Sequence, residues 1–257
     1  MINDAFTGAL LMIETKVEAH CTTLTINRPE RRNALTTLMY QTLEKGLQKA
    51  QADPHCHAVI LTGTHDCFTA GNDLSEFQGH RSMVDSPALS FLRTLASVDV
   101  PVIAAVEGHA IGIGVTLLQH CDFIYAGATA RFSMPFVSLG LCPEGGSSTM
   151  LAKAVGPRRA AEWLLLGKPF SATEACDSGF ITAVAPAGQA LQQAQATADA
   201  LGRLPAEALR ISKKMLREPA HAELMATFDY ERLVFTERLK SDEAQAAFQR
   251  FFERKPL

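Results

Sequence analysis

The sequence predicts an α/β domain that carries additional helices at its carboxyl-terminal end. In the first half, short β-branched and apolar runs alternate with stretches of helical spacing, which is typical of a sheet covered by helices. From Ser147 onward the pattern is almost wholly helical. No self-repeat of about 20–50 residues and no linker is evident. We therefore expect one domain with a core over residues 1–200 and a helical extension over residues 201–257.

The strands of the first half are predicted from runs rich in Val, Ile and Thr or from short apolar runs. These runs cover residues 10–18, 22–26, 58–61, 101–106 and 123–125. Helical apolar spacing predicts helices over residues 36–51, 87–96 and 113–120. The first of these helices should end before Asp53 and Pro54, because proline disfavours the continuation of a helix.

The second half is predicted to hold one short strand, over residues 180–184, among many helices. The expected helices cover residues 147–155, 158–166, 172–178, 188–202, 206–216, 221–238 and 242–253. Residues 228–235 and 247–252 are apolar on one face. That face packs either on the core of the same chain or on a partner subunit, and the sequence leaves both open.

Composition and charge exclude several classes of protein. The net charge of −3 gives no overall attraction to nucleic acid or to an anionic membrane. Six scattered cysteines form no CxxC pair, which indicates reduced thiols rather than a disulfide framework. The amino terminus lacks the pattern of a signal peptide, and no apolar run approaches the roughly 20 residues that span a bilayer. We expect a cytoplasmic protein that binds neither nucleic acid nor a membrane.

A glycine-rich turn lies between a predicted strand and a predicted helix, at Gly108, Gly112 and Gly114. A dinucleotide fingerprint is one interpretation, but Leu117 stands where its third glycine belongs. Asp122 follows only 8 residues after Gly114, whereas a ribose contact is expected about 20 residues on. A phosphate loop is also disfavoured, because no Gly-Lys-Ser/Thr sequence follows.

An oxyanion site explains these turns better. Glycines let the backbone approach a ligand closely, and the N–H of Ile113 should have no acceptor inside the helix that it begins. A second turn, Ala70-Gly71, precedes Asn72, whose N–H is the candidate for the second donor. Two tight turns without a ligand remain the alternative.

The third chemical element is Glu144, in the segment Cys142-Pro143-Glu144-Gly145-Gly146. Its carboxylate is the candidate general base, and the glycines leave space beside it. A carboxylate that only complements the dipole of the next helix is the alternative. Cys142 is a candidate nucleophile by proximity, but no histidine at a recognisable spacing supports it, so we expect it to line the pocket.

Histidines and cysteines near the second glycine turn suggest a metal site. His55 and His57 alternate along a strand entry and therefore point to the same side. His65 and Cys67 follow in the sequence, but no carboxylate or cysteine pair completes a typical ligand set. We predict that the protein has no metal site.

Several motifs in order along the chain resemble the crotonase (enoyl-CoA hydratase/isomerase) superfamily, and the resemblance covers nearly the whole sequence. The motifs are Asn27-Arg28-Pro29, Asn33-Ala34-Leu35, Ala70-Gly71-Asn72-Asp73-Leu74, Gly108-His109-Ala110-Ile111-Gly112 and Cys121-Asp122. The resemblance implies a crotonase-like spiral of ββα units with a carboxyl-terminal helical layer. It further implies that this layer mediates homotrimers, often paired into hexamers.

The resemblance also implies an acyl-CoA substrate, whose thioester oxygen accepts hydrogen bonds from two backbone N–H groups. These map to Asn72, where alanine is commoner, and to Ile113, where a glycine is usual. Only the N–H of each residue is needed, so the substitutions leave the oxyanion hole possible. No separate cofactor is implied, because CoA is part of the substrate.

Hydratases of the family use two glutamates, and this sequence lacks both. Thr116 and Phe136 stand at the matching positions, and a carboxylate appears instead eight residues later, as Glu144. This arrangement resembles the Δ3,Δ2-enoyl-CoA isomerase branch, in which one glutamate performs all the proton transfer. The alternatives among enzymes are a hydratase, a thioesterase, a decarboxylase and a dehalogenase. The alternatives without catalysis are an acyl-CoA-binding relative and an RNA-binding relative, and the net charge disfavours RNA binding.

Further residues are candidates for contacts with the substrate, those for CoA because of the resemblance. The candidates for CoA binding are Arg31 and Arg32 beside the phosphates, the backbone of Ala70 and Leu74 beside the adenine, and Phe251 and Lys255 from the same or a neighbouring subunit. The candidates for lining the acyl pocket are Met134, Phe136, Leu139 and Met150. Ordinary core packing is the alternative for these four, and a solvated surface is the alternative for the two arginines.

Overall fold

A computed structural model of the protein describes residues 12–64, 66–78 and 85–253. Its strands are β1 Ile13–Glu18, β2 Cys21–Ile26, β3 Ala58–Gly63, β4 Cys67–Thr69, β5 Val102–Val106, β6 His109–Ile111, β7 Phe123–Gly127, β8 Arg131–Ser133, β9 Phe170–Ser171 and β10 Ala183–Ala185. Its α-helices are α1 Thr37–Ala52, α2 Pro87–Ser97, α3 Ile113–Thr116, α4 Ser147–Val155, α5 Pro157–Leu165, α6 Ala172–Asp177, α7 Ala190–Gly202, α8 Ala206–Leu239 and α9 Asp242–Glu253.

The larger sheet has the order β1-β2-β3-β5-β7-β10. β1 is antiparallel to β2, and the other neighbouring strands run parallel. Parallel strands are covered on both faces, which explains the nearly continuous apolar sequences of β3 and β5. Val59 and Leu61 face the main hydrophobic core, whereas Ala58 and Ile60 face a second apolar cluster under α7.

A smaller sheet has the order β4-β6-β8-β9. β4, β6 and β8 are parallel neighbours, and β9 is antiparallel to β8. The sequence pattern did not predict this sheet, because strands of two or three residues are too short to show an alternation. The sheet matters for the site, since the carboxyl ends of β4 and β6 lead directly into the two glycine turns.

The carboxyl-terminal helices pack on the main core. The apolar side chains that α8 and α9 bury there are Leu224, Phe228, Phe235, Leu239, Ala244 and Phe248. The α/β class with a carboxyl-terminal helical layer is therefore confirmed. Within the described ranges, no helix has both the length and the apolar character that crossing a membrane requires.

The prediction of two helices over residues 206–216 and 221–238 is wrong, because α8 runs unbroken through Pro219. A proline inside a helix removes the donor to the carbonyl four residues earlier, which is that of Met215 here. Met215 is 69% exposed, so water has access to this part of the helix. Contacts with the core on both sides of Pro219 hold the helix together: Lys213 before it and Leu224 after it are buried.

Two further boundaries differ from the sequence prediction. The helix predicted over 113–120 is the single turn α3 followed by the 3-10 helix Leu117–His120. The chain must leave the helix there, because Asp122 already bonds to Val102 through both its N–H and its carboxylate. The strand predicted over 180–184 begins only at Ala183, since the N–H groups of Phe180 and Ile181 donate back to the carbonyl of Ala175.

Candidate active site

The two predicted oxyanion turns lie side by side. β4 pairs in parallel with β6, so their carboxyl ends meet at one edge of the smaller sheet. Gly71 follows β4 with a φ of 91°, and a Cβ built on it would lie 2.7 Å from the carbonyl oxygen of Ile111. This approach is possible only for glycine, and it places the turn before Asn72 against the turn before Ile113.

The backbone of Asn72 is oriented by Leu35. The two residues form a parallel bridge, in which the N–H of Leu35 donates to Gly71 and the N–H of Asp73 donates to Leu35. Because backbone groups alternate along an extended chain, the N–H of Asn72 itself points away from Leu35. Its side chain is held as well, since the Tyr40 hydroxyl donates to Asn72 Oδ1 over 2.7 Å.

Ile113 begins α3. Gly112 before it has a φ of 57°, and its carbonyl accepts from Val115 and Thr116. The N–H of Ile113 lies in the first turn, where a helix supplies no acceptor of its own. Gly114 fits closely against β4, because a Cβ there would lie 2.6 Å from the Thr69 side chain. The sequence therefore places both candidate donors on adjacent, tightly packed turns.

Glu144 is tied to the same helical turn. The buried Thr116 hydroxyl, three residues after Ile113, donates to Glu144 Oε1 over 2.7 Å. A hydroxyl that donates to a carboxylate makes a charge-assisted hydrogen bond, which is stronger than a neutral one. The structure thus brings the candidate base next to the helix that carries one candidate donor, although 28 residues separate Thr116 from Glu144 in sequence.

The turn after Glu144 requires two glycines. Gly145 and Gly146 have φ values of 70° and 80°, in the left-handed region. A Cβ on Gly145 would lie 2.8 Å from Thr116 Oγ1, and one on Gly146 would lie 2.6 Å from a methyl of Leu224. The close approach of this turn to α3 and α8 therefore depends on the absence of side chains.

Two buried polar residues that the sequence reasoning missed hold this turn. His120 Nε2 donates to the carbonyl of Gly145 over 2.8 Å, since a carbonyl only accepts. Burial lowers the pKa of His120 to about 4, so the ring is neutral near pH 7. On α8, Glu231 accepts from the N–H groups of Gly146 and Ser148. Glu231 lies three residues after Phe228 and four before Phe235, so a carboxylate on the apolar face of this helix is the signal in the sequence.

The candidate CoA residues are placed in part. Arg31 and Arg32 are exposed, and the carbonyl of Arg32 accepts from the Ala70 N–H, so this basic turn lies beside the β4 loop. Leu74 begins a 3-10 helix and packs against the main core. Phe251 lies on α9, 50% exposed. Lys255 lies outside the described residues, and the CoA contacts of all these residues stay predictions.

Asn33 connects the basic turn to the β4 region. It is fully buried, accepts from the N–H of Arg28 and donates to the carbonyls of Thr64 and Cys67. Its own carbonyl accepts from the Thr69 hydroxyl. These four bonds give a structural reason for asparagine in the Asn33-Ala34-Leu35 motif.

The candidate acyl-pocket residues belong to the main core or pack on it. Met134 and Phe136 are buried, whereas Leu139 and Met150 are half-buried against the core. The Met150 sulfur would lie 3.4 Å from a Cβ on Gly146, so this side chain is beside the Glu144 turn. Their role as a pocket lining stays a prediction.

The other chemical candidates near the site are weaker. Burial, together with the charges of Glu231 and Glu144, raises the pKa of the Cys142 thiol to about 11. A protonated thiol is a poor nucleophile, which disfavours covalent catalysis by Cys142. In the described part of the chain, no three His, Cys, Asp or Glu side chains are grouped as metal ligands. His65 lies outside that part.

The sequence is similar to those of known proteins. The sequence matches the family model for enoyl-CoA hydratase/isomerase over residues 16–257. It is 35% identical to the human protein named enoyl-CoA delta isomerase 2, in a match that covers 97% of this chain and 65% of that protein. It is 32% identical to the Mycobacterium bovis protein named probable enoyl-CoA hydratase echA8, over 90% of this chain and 91% of that protein.

Solved structures agree with the sequence comparison. The structure of Pseudomonas aeruginosa OdaA has a TM-score of 0.91 and 40% sequence identity, and the match covers 95% of this chain and 99% of that one. This similarity confirms the crotonase-like fold. The relatives carry both isomerase and hydratase names at similar identity, so the comparison does not choose between the two reactions.

Proposed function

This chain belongs to the enoyl-CoA hydratase/isomerase family, and we propose that it is a Δ3,Δ2-enoyl-CoA isomerase. The proposed reaction moves the double bond of a 3-enoyl-CoA into conjugation with the thioester and gives trans-2-enoyl-CoA. The family match supports the acyl-CoA substrate. The choice of reaction rests on the carboxylate chemistry of the site.

The observation that carries the proposal is the pairing of Thr116 with Glu144. Thr116 stands where hydratases of the family have one glutamate, and Phe136 stands where they have the other. Hydration needs one group that activates water and another that protonates carbon. With a threonine bonded to Glu144 Oε1, the arrangement supports chemistry in which one carboxylate both removes and returns a proton.

The proposed mechanism has two proton transfers. The Glu144 carboxylate removes a proton from C2, and the C–H electron pair forms a dienolate whose negative charge lies on the thioester oxygen. The N–H groups of Asn72 and Ile113 donate to that oxygen. The charge then returns through the conjugated system, C4 takes the proton from Glu144, and the double bond lies between C2 and C3. Enzyme and substrate gain and lose no proton overall.

The two oxyanion donors and the general base can together supply a large rate acceleration. A backbone donor to an oxyanion contributes about 10²–10³ in rate. A positioned general base contributes about 10²–10⁴. The tight packing of Gly71 and Gly114 supports pre-organised donors, because rigid turns need little rearrangement when charge develops.

A hydratase is the second candidate, because relatives at about one-third identity carry that name. One assay separates the two reactions. Incubation with 3-hexenoyl-CoA should produce the absorbance of a conjugated thioester, whereas crotonyl-CoA should keep its absorbance. Loss of the crotonyl-CoA signal with no reaction of 3-hexenoyl-CoA would replace the isomerase by a hydratase. Binding of both without turnover would indicate a non-catalytic acyl-CoA-binding protein, and release of free thiol would indicate a thioesterase.

We also propose that the protein assembles as a homotrimer or a pair of trimers. Large apolar side chains are exposed on α8, among them Ile211, Met215 and Leu216. Ile211 and Met215 are four residues apart and therefore share a helix face, and exposed apolar surface is typical of an interaction site. Light scattering should give a mass of three or six chains, and a monomer mass at micromolar concentration would contradict the assembly.

A further inference from the structure

A buried carboxylate from α8 holds the start of α4. Glu231 is 4% exposed. Its Oε2 accepts from the Gly146 N–H at 2.6 Å, and its Oε1 accepts from the Ser148 N–H at 2.9 Å. Both donors come within four residues after Glu144. Glu231 therefore contacts the segment that carries the proposed base, although more than 80 residues separate them in sequence.

These two bonds satisfy groups that the helix itself leaves unpaired. The first N–H groups of a helix have no acceptor within it, and a negative charge is favourable at that end. α8 also packs against this turn. A methyl of Leu224, on α8, lies 2.6 Å from the position that a Cβ on Gly146 would occupy. α8 thus determines where the turn between Glu144 and α4 lies.

Glu231 is not explained by stability alone. Burial raises its pKa despite the hydrogen bonds from Ser148 and Gly146, so the ionised form is less favourable there than in water. Burial and the charges of Glu231 and Glu144 raise the pKa of the nearby Cys142 thiol, and the charge of Arg238 lowers it. Cys142 is therefore within electrostatic reach of both carboxylates.

Glu231 is not the sole polar anchor of α8 among the described residues. Near the start of α8, the Arg210 guanidinium donates to the carbonyls of Gln51, Asp53 and Cys56 around the end of α1. Arg217 donates to the carbonyl of Val98 and to Asp99. Arg210 and Arg217 lie on α8 more than ten residues before Glu231, and they bind carbonyl groups of other segments. α8 therefore has anchors other than Glu231.

We propose that Glu231 is a positioning residue for the isomerase reaction, which holds the 145–148 turn so that the Glu144 carboxylate stays on Thr116 beside the oxyanion turns. The inference rests on the function proposed above. It adds a long-range element to the site, since a residue of the carboxyl-terminal helix fixes the geometry of the base without touching the substrate.

The test compares Glu231→Gln, Glu231→Asp and Arg210→Met with the wild type in the 3-hexenoyl-CoA assay. The Gln variant keeps the shape but presents an NH₂ group to one of the two N–H donors. We expect its kcat to fall about tenfold or more, because a bond to a charged group is lost. KM should stay within about threefold, since none of the candidate CoA-binding residues lies in this turn. The Asp variant keeps both acceptors and should fall between.

Arg210→Met is the matched control, because it removes a charged anchor of α8 that does not contact the Glu144 turn. It should lower the melting temperature and leave kcat near the wild-type value. Equal loss of kcat in Arg210→Met and Glu231→Gln would overturn the proposal, since the effect would then be general loosening of α8. A kcat of Glu231→Gln within twofold of the wild type would overturn it directly. If Glu231→Gln does not fold, Glu231→Asp replaces it in the test. Faster hydrogen exchange at the Gly146 and Ser148 amides of Glu231→Asp, with a kcat equal to that of the wild type, would also overturn the proposal.

Amide hydrogen exchange gives a readout that does not need turnover. The Gly146 and Ser148 amides should be protected in the wild type and exchange faster in Glu231→Gln, with no change in Arg210→Met. Unchanged exchange in Glu231→Gln would overturn the positioning role even if the reaction is different. If the wild type does not isomerise 3-hexenoyl-CoA but the exchange pattern is as expected, the isomerase proposal is excluded and the positioning role of Glu231 is retained.

Discussion

The Thr116 hydroxyl donates a 2.7 Å hydrogen bond to Glu144 Oε1, across 28 residues of sequence. Thr116 is fully buried in α3, the same short helix that begins with Ile113. One helical turn therefore carries a candidate oxyanion donor at its start and a hydroxyl that fixes the candidate base at its end. This connection between the two parts of the site leads to the first prediction.

Replacing Thr116 by valine should lower kcat for 3-enoyl-CoA about tenfold or more. Valine has nearly the same shape, but the bond to the carboxylate is lost, and such a bond is worth about 1.5–3 kcal/mol. Thr116→Ser keeps the hydroxyl and is the control, with kcat near the wild-type value. Steady-state kinetics of both variants checks this, and a fully active valine variant would show that the bond is unimportant.

Replacing Gly145 by alanine should displace Glu144. The new Cβ would lie 2.8 Å from Thr116 Oγ1, on a backbone with a φ of 70°. We expect a loss of stability of at least about 1–2 kcal/mol from the left-handed conformation alone, and a loss of kcat from the clash.

Gly188→Ala is the matched control for this substitution. Gly188 has a φ of 79°, but no atom lies within 4 Å of the position of its Cβ. It should lose a similar amount of stability in urea unfolding and retain full activity. If Gly145→Ala and Gly188→Ala lose equal activity, the close approach of the Glu144 turn to Thr116 has no catalytic consequence.

The buried His120 should make the protein less stable in mild acid. Burial lowers its pKa from 6.5 to about 4, so between these values the unfolded chain binds a proton that the folded chain does not. Stability is therefore lost as the pH falls from about 6.5 to about 4, by up to about 3 kcal/mol. Glu231, whose pKa burial raises, titrates in the opposite sense and offsets part of this loss.

His120→Gln separates the two contributions, because glutamine donates to the Gly145 carbonyl without titrating. Urea unfolding at pH 7 and pH 5 should show a smaller decrease for His120→Gln than for the wild type. His55→Gln, at an exposed histidine, should behave as the wild type does. An unchanged pH response in His120→Gln would mean that another group causes the acid sensitivity.

The basic turn should contribute to CoA affinity in a salt-dependent way. Arg31 and Arg32 are exposed beside the Ala70 loop, where their charges are screened by salt. Arg31→Ala and Arg32→Ala should raise the Kd for acyl-CoA at low salt and flatten its dependence on ionic strength. Calorimetric titration at several salt concentrations measures this. Arg158→Ala, at an exposed arginine on α5, is the charge-matched control, and curves parallel to the wild type for both turn variants would exclude the contact.

Some parts of the fold were predictable because their signal is local. α4 spans the predicted 147–155 because Gly146 and Gly156, both with a φ of 80°, bound it, and α9 begins at Asp242 as predicted. The smaller sheet was missed because its strands have two or three residues and depend on neighbours rather than on their own pattern. α8 was predicted as two helices because the effect of Pro219 depends on tertiary contacts that sequence alone does not contain.

In the site too, residues with a local signal were predictable and residues that act through tertiary contacts were not. Gly71 and Gly112 were recognised because a positive φ at a turn requires glycine, and Glu144 was recognised between a proline and two glycines. His120 and Glu231 were missed because each acts on the Glu144 turn through a contact between distant segments. The sequence marks Glu231 as a carboxylate on an apolar helix face, but its contacts and those of His120 follow only from the fold, which places three helices around one turn.

The turnover of 3-hexenoyl-CoA by Glu144→Gln tests the central claim most directly. Glutamine keeps the shape of the side chain but cannot accept and return a proton, so the rate should fall by about 10²–10⁴ while the Kd for acyl-CoA stays close to that of the wild type. A Glu144→Gln variant that isomerises the substrate at nearly the wild-type rate would contradict the account.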